Sequence, residues 1–527
     1  MPSHLESQLQ LLKNHDTQLF LKGVLHGIEK EGLRVDGSGA LSLLLHPQEL
    51  GAPLTNGSIT TDFSESLLEL ITPVFSDPAT TLDYLQAVHQ FTYSHLDNEL
   101  IWAASMPCHI ADASLIPIAQ FGKSNKGQMK HLYRVGLAHR YGKMMQSIAG
   151  IHYNFSLPDE FWKAYQKLQG DRESLQTFRS SSYFTLIRNF RRHSWLLLYL
   201  FGASPAISRS FLAGKQHNLE PLLEDTLFLP YATSLRMSGL GYSTTAQSSL
   251  SICFNHLKTY IESLTKAILT THPLYEKIGV KVDGQYRQLS TTVLQIENEY
   301  YSDVRPKRVP EPGETALLAL KNRGVQYIEV RNTDINPLLP LGIDLRQALF
   351  LDIFLISCLL MGDDLLSPEE CKTVTENLQS VTTRGREPGL ELLCPGGKIK
   401  LKDAGIKLMD QMDQTAGLLD SVHNTGIYSE ALTFQRAKLQ ESALTPSAQI
   451  LDRLTSSGLE YTQWVVNMSK EHKQTLLQSP KDEALLTSLA RQASDSVTKL
   501  KEIEDNDTLD FDEFLRRNRT GGIEKYS

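Results

Sequence analysis

The sequence predicts an α+β protein in which a region of short β-strands is followed by a largely helical C-terminal third. Before about residue 341, short runs carry Ile, Val, Tyr or Phe at alternating positions, as is typical of strands. From about Gly342 onward, the segments are rich in Leu, Ala, Lys, Glu and Gln, which favours helices. We therefore expect two regions, residues 1–341 and residues 342–527.

The elements follow from these patterns in chain order. Strands are predicted over residues 27–35, 67–72, 150–157, 293–299 and 325–332. Helices are predicted over residues 345–361, 406–423, 429–439, 446–454 and 482–503. Loop breaks are expected at Gly362 and at the Pro-Gly-containing stretches 388–389 and 395–397.

Composition excludes several classes of protein. The chain of 527 residues carries a net charge of −8, which gives no support for a nucleic-acid partner. Five cysteines are too few for a disulfide scaffold at this length. The N-terminus lacks the pattern of a signal peptide, and the most apolar stretch, 348–361, is shorter than the roughly 20 residues that cross a bilayer. We expect a cytoplasmic protein without a membrane partner.

Acidic residues recur on one face of the predicted strands. Residues i and i+2 of a strand share a face, about 7 Å apart. The predicted strands therefore align several polar groups, which are Glu29 with Glu31, His152 with Asn154, Glu297 with Glu299, and Tyr327 with Glu329 and Arg331. For any one strand taken alone, a polar face exposed to solvent is enough to explain the pattern.

The whole set favours a metal site over a solvated face. Carboxylates on three strands of one sheet repel each other unless a cation neutralises them. Carboxylates with one imidazole suit a hard divalent ion, magnesium or alternatively manganese. The segment TTDFSESLLELITP adds Asp62, Glu65 and Glu69; a surface loop accounts equally well for the first two. Glu69 lies among leucines, where an unpaired carboxylate is costly.

Common catalytic motifs are missing from the sequence. It contains no G-x-x-x-x-G-K-[ST], no G-x-G-x-x-G after a strand, no H-E-x-x-H and no G-x-S-x-G. This disfavours P-loop nucleotidases, Rossmann dehydrogenases, zincins and nucleophile-elbow hydrolases. A nucleotide can still bind where metal ions hold its phosphates.

Several blocks together resemble the proteobacterial type of glutamate–cysteine ligase, the γ-glutamylcysteine synthetases. They occur in family order from near residue 20 to near residue 340, and GREPGL at 385–390 is similar too. The blocks are GIEKEGLRV, TTDFSESLLELITP, SMPC, GIHYNFSLP, YLFGASPAI, YATSLRMSGLGY, LQIENEYYSDVRPKR and YIEVRNTDINP.

The resemblance implies a fold and a reaction. The fold is a glutamine-synthetase-like curved antiparallel β-sheet with a concave active site and helices packed around it. On this basis residues 1–341 form the catalytic region, and the mainly helical residues 342–527 pack on it. The implied reaction uses ATP to join the γ-carboxylate of L-glutamate to the amine of L-cysteine through γ-glutamyl phosphate. This is the first step of glutathione biosynthesis, and family relatives suggest a monomer.

The resemblance also implies roles for individual residues. Arg236 and Arg331 match arginines that contact the transferring phosphoryl group and the substrate carboxylate. Metal ligands are implied at Glu29, Glu31, Asp62, Glu69, His152 and Glu329. Of these, Glu29, His152 and Glu329 hold the ion that bridges the ATP phosphates, and the other three serve the glutamate side. A pocket for the cysteine side chain is implied at Phe63, Tyr133, Leu137, Tyr242 and Tyr301.

Three other functions stay open at this point. The same fold and first step serve ligases for ammonia or another amine, although ammonia needs no side-chain pocket. A non-catalytic metal- or glutamate-binding protein and a phosphotransferase for a small guanidino or carboxylate substrate are the others. Glu297 and Glu299 stay without an assigned role, and a reversible Cys371–Cys394 disulfide is a hypothesis, with two free thiols as the alternative in a reducing cytosol.

Overall fold

The structure is a computed structural model of the chain. It describes residues 3–212, 214–240, 250, 252–311 and 313–526, with side chains described as far as residue 518. Tyr242, one of the residues expected in the cysteine pocket, lies outside the described residues.

The main element is a seven-stranded antiparallel sheet. Its strands are β1 (Leu25–Val35), β2 (Ile59–Thr61), β3 (Leu67–Ile71), β4 (Leu100–Ile101), β5 (Ile151–Ser156), β11 (Val304–Lys307) and β12 (Tyr327–Thr333). They are ordered β11-β12-β5-β1-β3-β2, and β4 pairs with the end of β1. The predicted α+β class and antiparallel sheet are confirmed, as are four of the five predicted strands.

Alternation along the strands gives the sheet one apolar and one polar face. Side chains such as Ile28, Tyr153, Phe155 and Ile328 are buried on the apolar face. Two helices, α2 (Pro78–Ser94) and α5 (Leu175–Phe201), pack against these strands and cover that face. The polar face carries the acidic residues singled out above.

The remaining elements surround this core. Other helices before residue 341 are α1 (His4–Asn14), α3 (Asn125–Tyr141), α4 (Asp159–Gln169), α6 (Leu257–Leu269), α7 (Pro273–Ile278) and α8 (Ala316–Arg323). Short strands form three further small sheets: β6 (Ala206–Ser208) with β7 (Glu220–Pro221) and β8 (Thr226–Phe228); β9 (Lys281–Val282) with β10 (Gln285–Tyr286); and β13 (Glu391–Cys394) with β14 (Gly397–Lys400).

Helices dominate the chain after residue 344, as predicted. They are α9 (Leu345–Leu360), α10 (Pro368–Arg384), α11 (Leu401–His423), α12 (Ile427–Gln440), α13 (Pro446–Ser457), α14 (Tyr461–Gln478), α15 (Glu483–Asn506) and α16 (Phe511–Tyr526). Helix α9 packs against α5, and α14 and α15 pack against α2, so these helices lie behind the apolar face of the sheet. In the described part of the chain, no helix combines the length and apolarity needed to span a membrane.

One predicted strand is wrong. Residues 293–299 form no strand, and Glu297–Glu299 is a short 3₁₀ turn. The two glutamates point to different partners: Glu297 Oε1 accepts a hydrogen bond from the N–H of Leu317, and Glu299 is bonded to Arg140 and Tyr141. These hydrogen bonds stabilise the turn more than the alternating pattern favours a strand. Glu297 and Glu299 therefore do not extend the polar face of the sheet.

Candidate active site

The polar face of the sheet gathers the predicted acidic residues through strand register. Glu29 on β1 lies directly opposite His152 on β5, and Glu31 lies directly opposite Glu69 on β3. Glu329 on β12 is opposite Asn154, two residues from His152 on the same face. Residues far apart in the chain therefore meet across three strand pairs.

Three of these side chains converge closely enough to hold a metal ion. One ligand atom from each of Glu29, His152 and Glu329 lies within 4.8 Å of the others. His152 Nδ1 is 3.2 Å from Glu29 Oε2 and 3.6 Å from Glu329 Oε1. Glu329 is only 1 % exposed, and among the described residues its Oε2 has no hydrogen-bond partner. A buried carboxylate oxygen without a donor suits a cation, so the donor set fits a hard divalent ion.

Positive side chains keep two of these carboxylates ionised. Burial acts to raise the pKa of Glu329, but the charges of Lys307 and Arg331 hold that pKa well below its ordinary value. Their nitrogens lie 3.6 Å and 3.2 Å from Glu329 Oε1. For Glu29, burial is again opposed, chiefly by the hydrogen bond with His152, and its pKa is lowered. Asn154 Nδ2 also donates to Glu29 Oε1 at 2.9 Å.

The neighbouring acidic residues lie in an environment that disfavours their ionised forms. Glu31 Oε1 is 3.7 Å from His152 Nε2, and its Oε2 accepts a 2.6 Å hydrogen bond from the N–H of Gly150. Burial raises the pKa of Glu31. Burial and the charges of Glu29, Asp62 and Glu31 raise the pKa of Glu69 well above its usual range. Asp62 is half-exposed and lies 3.8 Å from Arg134. A cation bound here would reduce the repulsion among these carboxylates.

The two predicted arginines both lie beside this face, where Arg236 is buried and Arg331 is partly buried. Arg331 NH1 lies 3.3 Å from His152 Nδ1 in addition to its contact with Glu329. Arg236 NH2 donates to the carbonyl of Arg331 at 2.9 Å, and its NH1 is 3.6 Å from Asp334. A β carbon at Gly150 would lie 2.1 Å from Arg236 NH2, so only glycine admits the guanidinium at this position.

A cavity of about 130 Å³ opens next to the acidic face. It contains both arginines, together with Glu31, Asp62 and His152, and it is walled by three of the expected pocket residues, Tyr133, Leu137 and Tyr301. Phe63 is buried in the hydrophobic core and is not among the lining residues. The cavity combines anionic and cationic groups at one end with aromatic and aliphatic groups at the other.

Several site residues escaped the reasoning from sequence. Arg305 and Lys307 share a face of β11, and this i, i+2 spacing was a usable signal. Arg134, Gln146 and Asn298 also line the cavity but lie on a helix or in irregular segments, where no periodic pattern marks them. Glu65, in contrast, is held by the N–H groups of two backbone residues, both at 2.6 Å, and so has a structural role.

The fold and the site together define a class of protein. It is an α+β protein whose antiparallel sheet bears a carboxylate–histidine site of the kind that holds a metal ion. Two arginines flank this site, and a cavity with polar and aromatic walls lies alongside. Such a site can neutralise and orient two anionic groups, which is what phosphoryl chemistry requires.

Comparisons with known proteins identify the family within that class. Residues 9–381 match the family model of glutamate-cysteine ligase. A glutamate–cysteine ligase of Pseudomonas putida is 50 % identical over 94 % of this chain and 94 % of its own length. One from Pseudomonas fluorescens is 48 % identical over 97 % of this chain and 96 % of its own length.

A solved structure supports the same family assignment. The glutamate–cysteine ligase of Francisella tularensis, in complex with AMP, superimposes with a TM-score of 0.89 at 37 % identity, covering 95 % of this chain and 98 % of that one. The chain belongs to the glutamate–cysteine ligase family, which confirms the resemblance found in the sequence.

Proposed function

We propose that the protein ligates the γ-carboxylate of L-glutamate to the amine of L-cysteine at the expense of ATP. The products are γ-glutamylcysteine, ADP and phosphate. The observation that carries this proposal is the convergence of Glu29, His152 and Glu329 beside Arg331, next to a cavity with an aromatic wall. Membership of the ligase family and the AMP bound to the Francisella relative support it.

The acidic residues divide into two groups of proposed metal ligands. Glu29, His152 and Glu329 would hold the ion nearest the ATP phosphates, because their donor atoms already converge. Glu31, Glu69 and Asp62 would serve the glutamate side, where the pKa values of Glu31 and Glu69 are raised by burial and by neighbouring carboxylates. Magnesium, with manganese as the alternative, supplies positive charge against phosphate and carboxylate oxygens when bound.

The chain's own residues would carry out the first chemical step by orientation and charge. A γ-carboxylate oxygen of glutamate attacks the γ-phosphorus of ATP, the bond to ADP breaks, and γ-glutamyl phosphate forms. Arg331 and Arg236 are placed to stabilise the transferring phosphoryl group and the substrate carboxylate, because both guanidinium groups reach the cavity. Lys307 and Arg305 extend the positive charge along β11.

The second step would take place at the aromatic end of the cavity. The amine of cysteine attacks the acyl carbon, phosphate leaves, and the nitrogen loses a proton. Tyr133, Leu137 and Tyr301 would surround the thiol and keep water from the acyl phosphate. The family resemblance adds Tyr242 to this wall, and Phe63 would support it from the core. A soft thiol suits such an environment better than a hydroxyl does.

We also infer the overall organisation from the family. A glutamine-synthetase-like curved sheet with a concave active site is supported by the single polar face of the main sheet. Residues 1–341 would form the catalytic region, and residues 342–527 the helical region packed on it.

ADP release by the purified protein tests the proposal. The assay contains magnesium and ATP with glutamate alone, with glutamate and cysteine, or with glutamate and ammonia. We expect fast release only when glutamate and cysteine are both present. Release with ammonia but not cysteine would reassign the protein to another amine ligase. Release with glutamate alone would indicate a phosphotransferase, and a folded protein without any release would contradict catalysis altogether.

A further inference from the structure

Two chain segments that are distant in sequence form the aromatic wall of the cavity. Helix α3 contributes Tyr133 and Leu137, and the segment after residue 294 contributes Asn298 and Tyr301. Neither segment belongs to the main sheet, so strand pairing does not set the distance between them. Some other contact must set the width of this part of the cavity.

A buried ion pair joins the two segments. Arg140, near the C-terminal end of α3, lies with its NH1 3.0 Å from Glu299 Oε1, and both side chains are fully buried. The hydroxyl of Tyr141 donates to the same oxygen at 2.6 Å. The other oxygen, Oε2, accepts the N–H of Gln295 at 2.6 Å. Both oxygens of Glu299 are therefore engaged by protein donors, which argues against a role as a metal ligand or a base.

Arg140 also binds the chain leading into the second wall. Its Nε donates to Gln288 Oε1 at 2.9 Å, and its NH2 donates to the carbonyl of Ser290 at 2.6 Å. The guanidinium stacks over the ring of Tyr275 at 4.0 Å. One side chain of α3 thus organises the course of residues 288–299.

A glycine on α3 allows the two segments to approach this closely. A β carbon at Gly136 would lie 2.1 Å from Gln295 Oε1, so any other residue would displace the Gln295 amide that links the two segments. Gln295 Nε2 donates in turn to the carbonyl of Tyr133, one of the wall residues. The contact at Gly136 and the ion pair act on the same interface, one helical turn apart.

We propose that the Arg140–Glu299 ion pair positions the aromatic wall of the cavity, because it holds Tyr133 and Leu137 at a set distance from Tyr301. The inference rests on the proposed function, because it assigns this cavity to the side chain of cysteine. Glu299 itself lines the cavity, but both of its oxygens are bonded to protein donors, so we assign the pair a positioning role and no contact with the reacting atoms. Its loss should therefore weaken selection of cysteine while the activation of glutamate by ATP continues.

The test compares cysteine with hydroxylamine, a small amine that needs no side-chain pocket. Hydroxylamine attacks γ-glutamyl phosphate, releases phosphate and gives the γ-glutamyl hydroxamate, which is measured directly. The variant carries both Arg140→Met and Glu299→Gln, because removing one charge alone would leave the other buried and unpaired. We expect the KM for cysteine to rise about tenfold or more, since small misplacements of substrate-positioning groups are costly.

The variant's other kinetic constants distinguish positioning from general damage. The KM values for glutamate and ATP, and the hydroxamate rate at saturating hydroxylamine, should stay within about twofold of wild type. Tyr141→Phe removes only one hydroxyl bonded to Glu299 and should give a smaller shift in the same direction. The matched control is Glu370→Gln, which breaks the Arg192–Glu370 pair outside the cavity and should move none of these constants.

An unchanged KM for cysteine in the folded double variant would overturn the inference. A parallel loss of rate with cysteine and with hydroxylamine would also overturn it, because that pattern indicates damage to the phosphoryl-transfer site. Wild-type protein without any cysteine-dependent ADP release would instead reject the proposed function.

Discussion

Glu29 and His152 lie directly opposite each other on neighbouring antiparallel strands, and Glu29 Oε2 is 3.2 Å from His152 Nδ1. Glu329 reaches the same imidazole from the next strand, at 3.6 Å. Because rigid strands carry all three ligands, the site is assembled before any ion binds.

Replacing Glu29 with Gln should impair metal use. Glu29→Gln keeps the shape of the side chain but removes a charged oxygen from the converging group. We expect kcat/KM to fall by about a hundredfold or more, with a higher magnesium concentration needed for half-maximal activity. Magnesium titrations of the steady-state rate measure both effects.

Glu65→Gln is the matched control for this substitution. Glu65 is also a buried carboxylate, but it accepts two backbone N–H groups and lies outside the converging group. The variant should lose about 1–3 kcal/mol of unfolding free energy and keep the wild-type magnesium requirement. A shifted requirement in Glu65→Gln, or an unshifted one in Glu29→Gln, would contradict the proposed ligand set.

The carboxylate of Glu69 should lower the melting temperature of the protein when no metal is bound. This carboxylate is partly buried near Glu29, Glu31 and Asp62, and a cation or neutralisation relieves their mutual repulsion. We expect Glu69→Gln to raise the melting temperature without magnesium and to abolish most activity. Magnesium should stabilise the wild type more than the variant, because ligand binding adds to the stability of the folded state alone. Equal magnesium-induced shifts in thermal denaturation would argue against this role.

Arg331 should matter mainly in the transition state. Its guanidinium contacts Glu329 and lies beside His152, and lysine cannot reproduce this planar arrangement. We expect Arg331→Lys to lower kcat about 10²–10³-fold with smaller changes in KM. Arg192→Lys, at the ion pair with Glu370 outside the cavity, is the control and should leave kcat unchanged. Equal effects of the two substitutions would refute a specific role for Arg331.

His89 should give the protein a pH-dependent stability independent of catalysis. The imidazole of His89, on α2, is 1 % exposed and lies 2.8 Å from Lys30 Nζ. Burial and the charge of Lys30 lower the pKa of His89 well below 6.5. In the unfolded chain this histidine takes up a proton as the pH falls below about 6.5, whereas in the folded protein it stays neutral. Stability is therefore lost on acidification.

The expected loss from His89 approaches about 1.4 kcal/mol per pH unit below its unfolded pKa. Denaturant unfolding between pH 7 and pH 5 measures it, and His89→Gln should show a shallower dependence than wild type. His95→Gln, at the half-buried position that follows the same helix, is the matched substitution and should follow the wild-type curve. Parallel curves for wild type and His89→Gln would contradict the prediction.

Local patterns explain which parts of the fold and site could be predicted. Alternation in residues 27–35 predicted that Glu29 and Glu31 share a face, because the two-residue period of a strand depends only on its own backbone. The same alternation in residues 293–299 was misleading. There Arg140 and Tyr141, more than 150 residues earlier in the chain, bind Glu299 and hold the segment in a turn.

The sequence by itself determined the strand faces, the helical character of the last third and, through its motif blocks, the family. The tertiary structure decided which faces meet: that Glu29 opposes His152, that Glu31 opposes Glu69, and that Arg140 reaches Glu299. The physical reason is that periodicity is a property of neighbouring residues, whereas strand register and buried ion pairs depend on how the whole chain packs.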